Sequence, residues 1–489
     1  MNKYLKMLEF DKIIELLKKE VVLKVNHSRL ENITLMDEIE DIELSLNEVD
    51  EAVILQQRMG RNPIYFNVDL KAILVKIHKN GIINEEELLN VGQLLDTIKD
   101  NLIYADKCSN AGINCDYFNK KLSLLTYHKE LNLSIKKIIT PYGEIKDDAS
   151  PLLKDIRRHQ DDTEKSINSK LQEILAKNAS KLTSNIVSIR NNRYVIPVKN
   201  DFKNTFQGVI HDQSASGETV FIEPLIINQL NNKLTQLYED EKNEIINILR
   251  NIGQEIDVFY NELLLSYETI LDLDIIFGKA NYAIKINANK TIINKDGIVD
   301  LLNARHPLLN VANVVSNNIA IGKDYQGIII TGPNTGGKTV LLKTLGLLSI
   351  MVRAGMLLPV DSNSNIMIFD NVFSDIGDEQ SIDQNLSTFS SHLKNVIEII
   401  NLVTPNSLVL LDELGSGTDP VEGSSLAISI FDYLISKHCL IVATSHYSEL
   451  KVHAYNSKNV ILFYSNTCTC IAFYYTAAEN IRCCYRKYH

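Results

Sequence analysis

Residues 325–345 read Tyr-Gln-Gly-Ile-Ile-Ile-Thr-Gly-Pro-Asn-Thr-Gly-Gly-Lys-Thr-Val-Leu-Leu-Lys-Thr-Leu. Within them Gly332-Pro333-Asn334-Thr335-Gly336-Gly337-Lys338-Thr339 fits G-x-x-x-x-G-K-[ST] without a gap. A β-branched run at 328–330 leads in, and Val340, Leu341, Leu345 and Leu348 follow at helical spacing. Strand, glycine-rich loop and helix in that order form the context of a phosphate-binding loop. Glycines let backbone N–H groups curl around an anion, and the helix turns its partly positive N-terminus toward the same point. In such a loop Lys338 reaches the β- and γ-phosphates, and the Thr339 hydroxyl ligates Mg²⁺.

Working outward toward the C-terminus, strand-like and helix-like stretches alternate from residue 301, which predicts a mostly parallel, doubly wound α/β sheet. The apolar run 408–411 ends in Asp412-Glu413. Carboxylates at the carboxyl edge of such a strand lie where open α/β sheets bind ligands. Asp412 is placed to hold Mg²⁺ through water, and Glu413 to orient and polarise an attacking water. His446 ends the next apolar run, 440–444 plus Ser445. It is a candidate hydrogen-bond partner for the γ-phosphate or the water, although a lone histidine is more often structural. Ser387, Thr388 and Phe389 have no chemical meaning by composition, since Ser and Thr ahead of a helix are usually caps.

Working toward the N-terminus, residues 1 to about 120 read as a helical core, with Leu5, Leu8, Ile13, Ile14 and Leu17 in helical period and a break at Gly60 to Pro63. Residues 121–300 read as two long helices around a small β-rich tip at about 184–224. One helix opens at Pro151 and runs to about 182. The other, at about 225–275, keeps a period near 3.5 from Leu230 to Leu273, some 45 residues or roughly 70 Å. The tip carries Arg190, Arg193, Lys199 and Lys203, interleaved with Tyr194, Phe202 and Phe206. It is either a nucleic-acid contact or the solvated surface of a small β-module.

Composition bounds the rest. The chain has 489 residues, 45% hydrophobic and 23% charged, enough for about three domains with real cores. A net charge of −11 argues against a general polyanion coat but not against a local basic patch. No apolar run approaches membrane length and the N-terminus has no signal-peptide pattern, so a cytoplasmic protein without a membrane partner is the default expectation. Four of the seven cysteines, Cys468, Cys470, Cys483 and Cys484, crowd the end of the chain without the C-x₂-C spacing of a zinc site. Residues 461–489 do not fit the preceding texture and read as an out-of-frame tail.

These motifs together resemble the ATPase of the MutS family, an ABC-type ATPase. The resemblance rests on Thr331 to Thr339, Ser387-Thr388-Phe389, Leu410 to Thr418, Ala443 to His446 and Arg305-His306-Pro307-Leu308. Ile189 to Val198 and His211 to Pro224 narrow it to the second bacterial type, which lacks a mismatch-reading domain. The likeness covers roughly residues 5–460. It implies ATP and Mg²⁺ as cofactors and a homodimer with ATP sites between subunits. Ser387 and Thr388 would then face the partner's γ-phosphate, and Gly417 and Thr418 would lie in the interface loop. The long helices would be lever arms and the tip a clamp over nucleic acid. The family is linked to branched DNA and suppression of recombination, and alternatively to collided ribosomes and their RNA. Its nuclease activity belongs to a C-terminal Smr domain, which is not expected in this chain.

Overall fold

The computed structural model describes residues 3–333, 337–377, 385–464, 473–476 and 479–483; of these, 385–389, 464, 473–476 and 479–483 are described by backbone alone. The chain forms two compact units. The first comprises Met1–Val68, Asp100–Leu125 and Glu268–His489; the second comprises Asp69–Lys99 and Thr126–Tyr267. Among the described residues no helix is long and apolar enough to cross a membrane.

In the first unit, short strands of four or five residues build a seven-stranded sheet. Its order is Asn371–Asp375, Ser407–Leu411, Leu440–Thr444, Gly327–Thr331, Val460–Tyr464, Phe473–Thr476 and Glu479–Cys483. The first five are parallel and the last two antiparallel. Strands Gly327–Thr331, Ser407–Leu411 and Leu440–Thr444 are buried at every position. That pattern belongs to a parallel sheet covered on both faces, and it explains why these segments read as continuous apolar runs. Leu411 pairs with Ala443, and Thr444 with Ile330, so the ends of three strands come level. The helix Lys338–Arg353 leaves the sheet here, its inward face made of Leu342, Leu345, Leu348 and Met351.

The alternation between 355 and 391 resolves differently from its texture. The apolar run after 365 does not join the large sheet. Asn365–Met367 belongs to a second sheet, ordered Ile292–Asn294, Asn365–Met367, Val299–Ala304 and Asn317–Ile321. The edge strand of the large sheet is Asn371–Asp375, which ends in the polar pair Ser374-Asp375. Ser374 and Asp375 are buried because helix Asn385–Leu402 satisfies them. Asn395 donates to the Ser374 carbonyl and to Asp375 Oδ1 (2.8 Å), and His392 Nδ1 lies 2.9 Å from Asp375 Oδ2. In the helical part of the same unit, Ile39–Met59 ends at Gly60 with φ 80°, the predicted break. Buried Asp274 accepts from the Val22 and Leu23 amides, Asn26 and Arg61.

The second unit holds the arm. Helix Pro151–Lys177 is capped by Ser150, whose hydroxyl accepts the Leu153 amide at 3.0 Å, with proline at the first helical position. It packs antiparallel to helix Leu225–Asp257. Ser150 meets Glu244, Arg157 and Gln160 meet Glu241, and Glu164 meets Tyr238. The predicted 45-residue rod is a 33-residue helix, about 50 Å long, followed by a separate helix Tyr260–Lys285. No proline or glycine breaks it. Instead the Phe259 ring stacks on His128 (4.0 Å), the Tyr260 ring on His78 (4.2 Å), and His78 Nδ1 lies 2.8 Å from Asp257.

Between the two arm helices lies a four-stranded antiparallel sheet, ordered Ser188–Arg190, Arg193–Lys199, Thr219–Pro224 and Gly208–Gln213. Asn191 and Asn192 turn its first hairpin at φ 51° and 57°, the conformation a two-residue primed turn needs. Ile196, Val198, Val220 and Ile222 pack onto Ile167, Leu171, Ile227 and Leu234 of the helices.

Candidate nucleotide site

The site lies at the level ends of the parallel strands, within the first unit. Gly332 leaves the Gly327–Thr331 strand at φ 140°, and Gly337 enters the helix at φ 75°. Asn334, Thr335 and Gly336 lie outside the described residues, and Pro333 is exposed. Lys338 opens the helix and is 3% exposed. Its ammonium donates to the Gly332 carbonyl at 2.8 Å and lies 3.3 Å from His446 Nε2. Burial pushes the Lys338 pKa down, against the opposing pull of Glu413 and Asp412.

Thr339 Oγ1 donates to Asp412 Oδ2 at 2.7 Å, so the loop and the carboxylate strand meet although a whole strand, Leu440–Thr444, separates their sheet positions. The other carboxylate oxygen, Oδ1, accepts from the Thr444 hydroxyl. A hydroxyl and a carboxylate side by side are hard oxygen ligands of the kind Mg²⁺ takes, with its remaining positions filled by water and phosphate. The donor set therefore fits Mg²⁺ bound together with a nucleoside triphosphate.

Glu413 adopts φ 49°, a left-handed bend immediately beyond the strand. Its amide donates to Thr444 Oγ1 at 2.8 Å, and its Oε1 lies 3.4 Å from His446 Nε2. Lys338, His446 and Glu413 thus form a chain of polar contacts beside Asp412. The following loop is tight. Gly415 (φ 86°) approaches Gly423 so closely that a Cβ on it would lie 2.5 Å from the Gly423 carbonyl oxygen. Tyr447 caps the Gly415 carbonyl at 2.8 Å. Gly417 is exposed and Thr418 half-buried in the same loop, ahead of helix Pro420–Ser436, whose first amides are capped by Asp419. Ser387 and Thr388 fall in the first turn of Asn385–Leu402, and their side chains lie outside the described residues.

Lys338, Thr339, Asp412, Glu413 and His446 therefore come together. Two residues of this neighbourhood escape the sequence reading. Asp375 touches the site through its carbonyl, which accepts the Asp412 amide at 2.9 Å. Thr444 is fully buried and binds both carboxylate residues. The available signal for Thr444 was a polar residue closing an apolar strand, level with Asp412 once the two strands are aligned by their ends.

The four basic candidates lie in the second unit and have different surroundings. Arg193 pairs with buried Glu223 at 3.1 Å. Arg190 pairs with Asp212 at 3.1 Å and lies over the Phe221 ring. Lys199 donates to the Ser180 carbonyl, and Lys203 is exposed. Glu223 also accepts from Asn231 (2.6 Å) and Asn228 (3.1 Å) and lies 2.7 Å from His211 Nε2. Burial raises the Glu223 pKa, but hydrogen bonds from Asn231, His211 and Asn228 and the charge of Arg193 more than offset this, leaving it below the usual carboxylate value.

Residues 328–482 match the family model for MutS domain V, and this match extends past residue 460 into the segment that reads as foreign. The chain is 42% identical over 459 residues to Endonuclease MutS2 of Finegoldia magna, covering 94% of this chain and 59% of the relative. The protein of the same name from Caldanaerobacter subterraneus is 41% identical over 461 residues, covering 94% and 58%. That of Bacillus velezensis is 41% identical over 462 residues, covering 94% and 59%. The chain thus spans somewhat more than half the length of the curated relatives it matches.

Proposed function

Because this chain belongs to the MutS family, we propose that it binds ATP with Mg²⁺, hydrolyses the γ-phosphate, and uses the cycle to move its helical arm on nucleic acid. One observation carries the hydrolytic reading: Lys338, Thr339, Asp412, Glu413 and His446, drawn from three separate segments, converge within a single set of hydrogen-bonding distances. Lys338 exchanges its contact with the Gly332 carbonyl for phosphate oxygens. Thr339 and Asp412 hold Mg²⁺, which supplies charge neutralisation at the β- and γ-phosphates. Glu413 orients the attacking water and takes its proton. His446, between Glu413 and Lys338, hydrogen-bonds the water or the γ-phosphate.

The family resemblance supports the wider reading. Ser387 and Thr388 complete the site on a partner subunit, with Gly417 and Thr418 at the contact, so the working form is a homodimer. The nucleic acid is DNA, branched forms included, in the control of recombination. Lys203 is exposed at the tip and is assigned the phosphate contact, while Arg190 and Arg193 pair within the tip and Lys199, also exposed, donates to the Ser180 carbonyl.

Paired variants test the chemistry. Glu413→Gln keeps ATP binding and lowers turnover by about 10²- to 10⁴-fold, the range for loss of a general base. Lys338→Ala loses ATP binding. Wild-type turnover in Glu413→Gln refutes the assignment of the base.

A further inference from the structure

We infer that Thr444 is a positioning residue for this site, fixing the metal-binding carboxylate and the water-orienting residue in one arrangement. The inference rests on the nucleotide reading above and extends it to a residue outside the phosphate loop and the carboxylate pair.

The strand order creates the need. Leu440–Thr444 lies between the strand that feeds the phosphate loop and the strand that ends in Asp412-Glu413. Leu411 pairs with Ala443, so the next step in register sets Thr444 opposite Asp412. Thr444 is 0% exposed. Its hydroxyl has one proton to give, which goes to Asp412 Oδ1, and its lone pairs accept the Glu413 amide at 2.8 Å. Its carbonyl accepts the Leu414 amide at 3.0 Å. One residue therefore holds three consecutive positions, 412 to 414, by three different bonds.

Two of these bonds bear on chemistry. Asp412 is gripped on one oxygen by Thr339 and on the other by Thr444. When the Thr339 hydroxyl turns to a cation, Thr444 still fixes the carboxylate plane. Glu413 sits at φ 49°, outside the β region, so its amide leaves the strand ladder; Thr444 Oγ1 is the acceptor that this bend uses. Without that hydroxyl the Glu413 amide loses its partner, and the bend that aims its side chain at His446 is no longer secured. Outer-shell partners of metal ligands act in this way, orienting a ligand they do not replace.

The test uses the full chain with Mn²⁺ as a paramagnetic probe for Mg²⁺, together with a non-hydrolysable ATP analogue. Electron paramagnetic resonance gives the Mn²⁺ affinity of wild type, Thr444→Val, Thr444→Ala and Thr444→Ser, alongside analogue affinity in EDTA and steady-state turnover. Thr444→Val and Thr444→Ala weaken Mn²⁺ binding or turnover by about 10- to 100-fold, the usual cost of an outer-shell partner. Analogue binding without metal is unchanged, and Thr444→Ser, which keeps the hydroxyl, restores most of the loss. Alanine guards against misfolding caused by the second methyl of valine beside a carboxylate. The inference is overturned if valine and alanine bind Mn²⁺ and turn over like wild type, or if serine is as impaired as they are, which assigns Thr444 to packing. Tight metal–nucleotide binding by the wild type without turnover overturns the hydrolytic reading instead and leaves the Mn²⁺ comparison decisive for Thr444.

Discussion

Mild acid should unlock the first unit at His306. This imidazole is 6% exposed and sits beside a cavity of about 540 Å³ lined by Glu9, Lys12 and Lys343. Its Nδ1 accepts the Leu308 amide at 3.3 Å, which requires the neutral ring. Burial drives its pKa down to about 4; Glu9 pulls upward, and Lys343 and Lys12 push further down. The folded-state value lies below the unfolded one, so the unfolded chain binds more protons between the two, and stability falls as pH drops through 6.5 toward 4. The full separation is worth about 3.4 kcal/mol at about 1.36 kcal/mol per unit. Integrated only to pH 5, it is about 2 kcal/mol, against almost nothing at pH 7.5. Exchange of the imidazole C2 hydrogen, followed by mass spectrometry, reads the His306 midpoint directly. Urea unfolding at pH 7.5 and 5.0, in wild type and His306→Gln, reads the energetic consequence as the excess acid sensitivity of the wild type. A His306 midpoint between 6 and 7, or equal acid sensitivity in both proteins, refutes the reasoning.

Lys279 gives a slope of the same sign in an alkaline window. Burial pushes its pKa down to about 8, and its ammonium donates to the Ala354 carbonyl at the end of the phosphate-loop helix. Between pH 8 and 10.5 the unfolded chain again binds more protons, so this group makes stability rise with pH, and Lys279→Met should flatten that rise in denaturant titrations. In the tip, Glu223→Gln leaves Arg193 without its charge partner and takes a carboxylate oxygen from beside His211 Nε2; breaking a buried pair in this way costs about 3–5 kcal/mol. Amide exchange should then accelerate in strands Arg193–Lys199 and Thr219–Pro224, and unchanged exchange there contradicts the role given to Glu223.

How much was legible depends on whether the governing interaction is local. The strand into Gly332, the helix after Lys338 and the strand ending at Asp412 announce themselves because both faces of a parallel sheet are buried, and composition records this directly. The edge strand Asn371–Asp375 was hidden because His392 and Asn395, some twenty residues further on, make buried Ser and Asp acceptable. The arm helix looked continuous because Phe259 and Tyr260 keep the apolar period while stacking on histidines from other segments. Thr444 was invisible because its role depends on which strands are neighbours. Arg190 and Arg193 looked like free cations because Asp212 and Glu223 become their partners only when the sheet forms.

The left-handed bend at Glu413 has one more consequence. Successive residues of an extended strand look to opposite sides, so a straight continuation would send Asp412 and Glu413 to different faces of the sheet. The bend acts as a swivel that brings both acids to the same face. The pair is consequently not symmetric under exchange: Asp412 requires the ladder and Glu413 requires the swivel. Reversing their order would place the longer acid against Thr339 and the shorter one out of reach of His446, leaving total charge and composition untouched while taking the site apart.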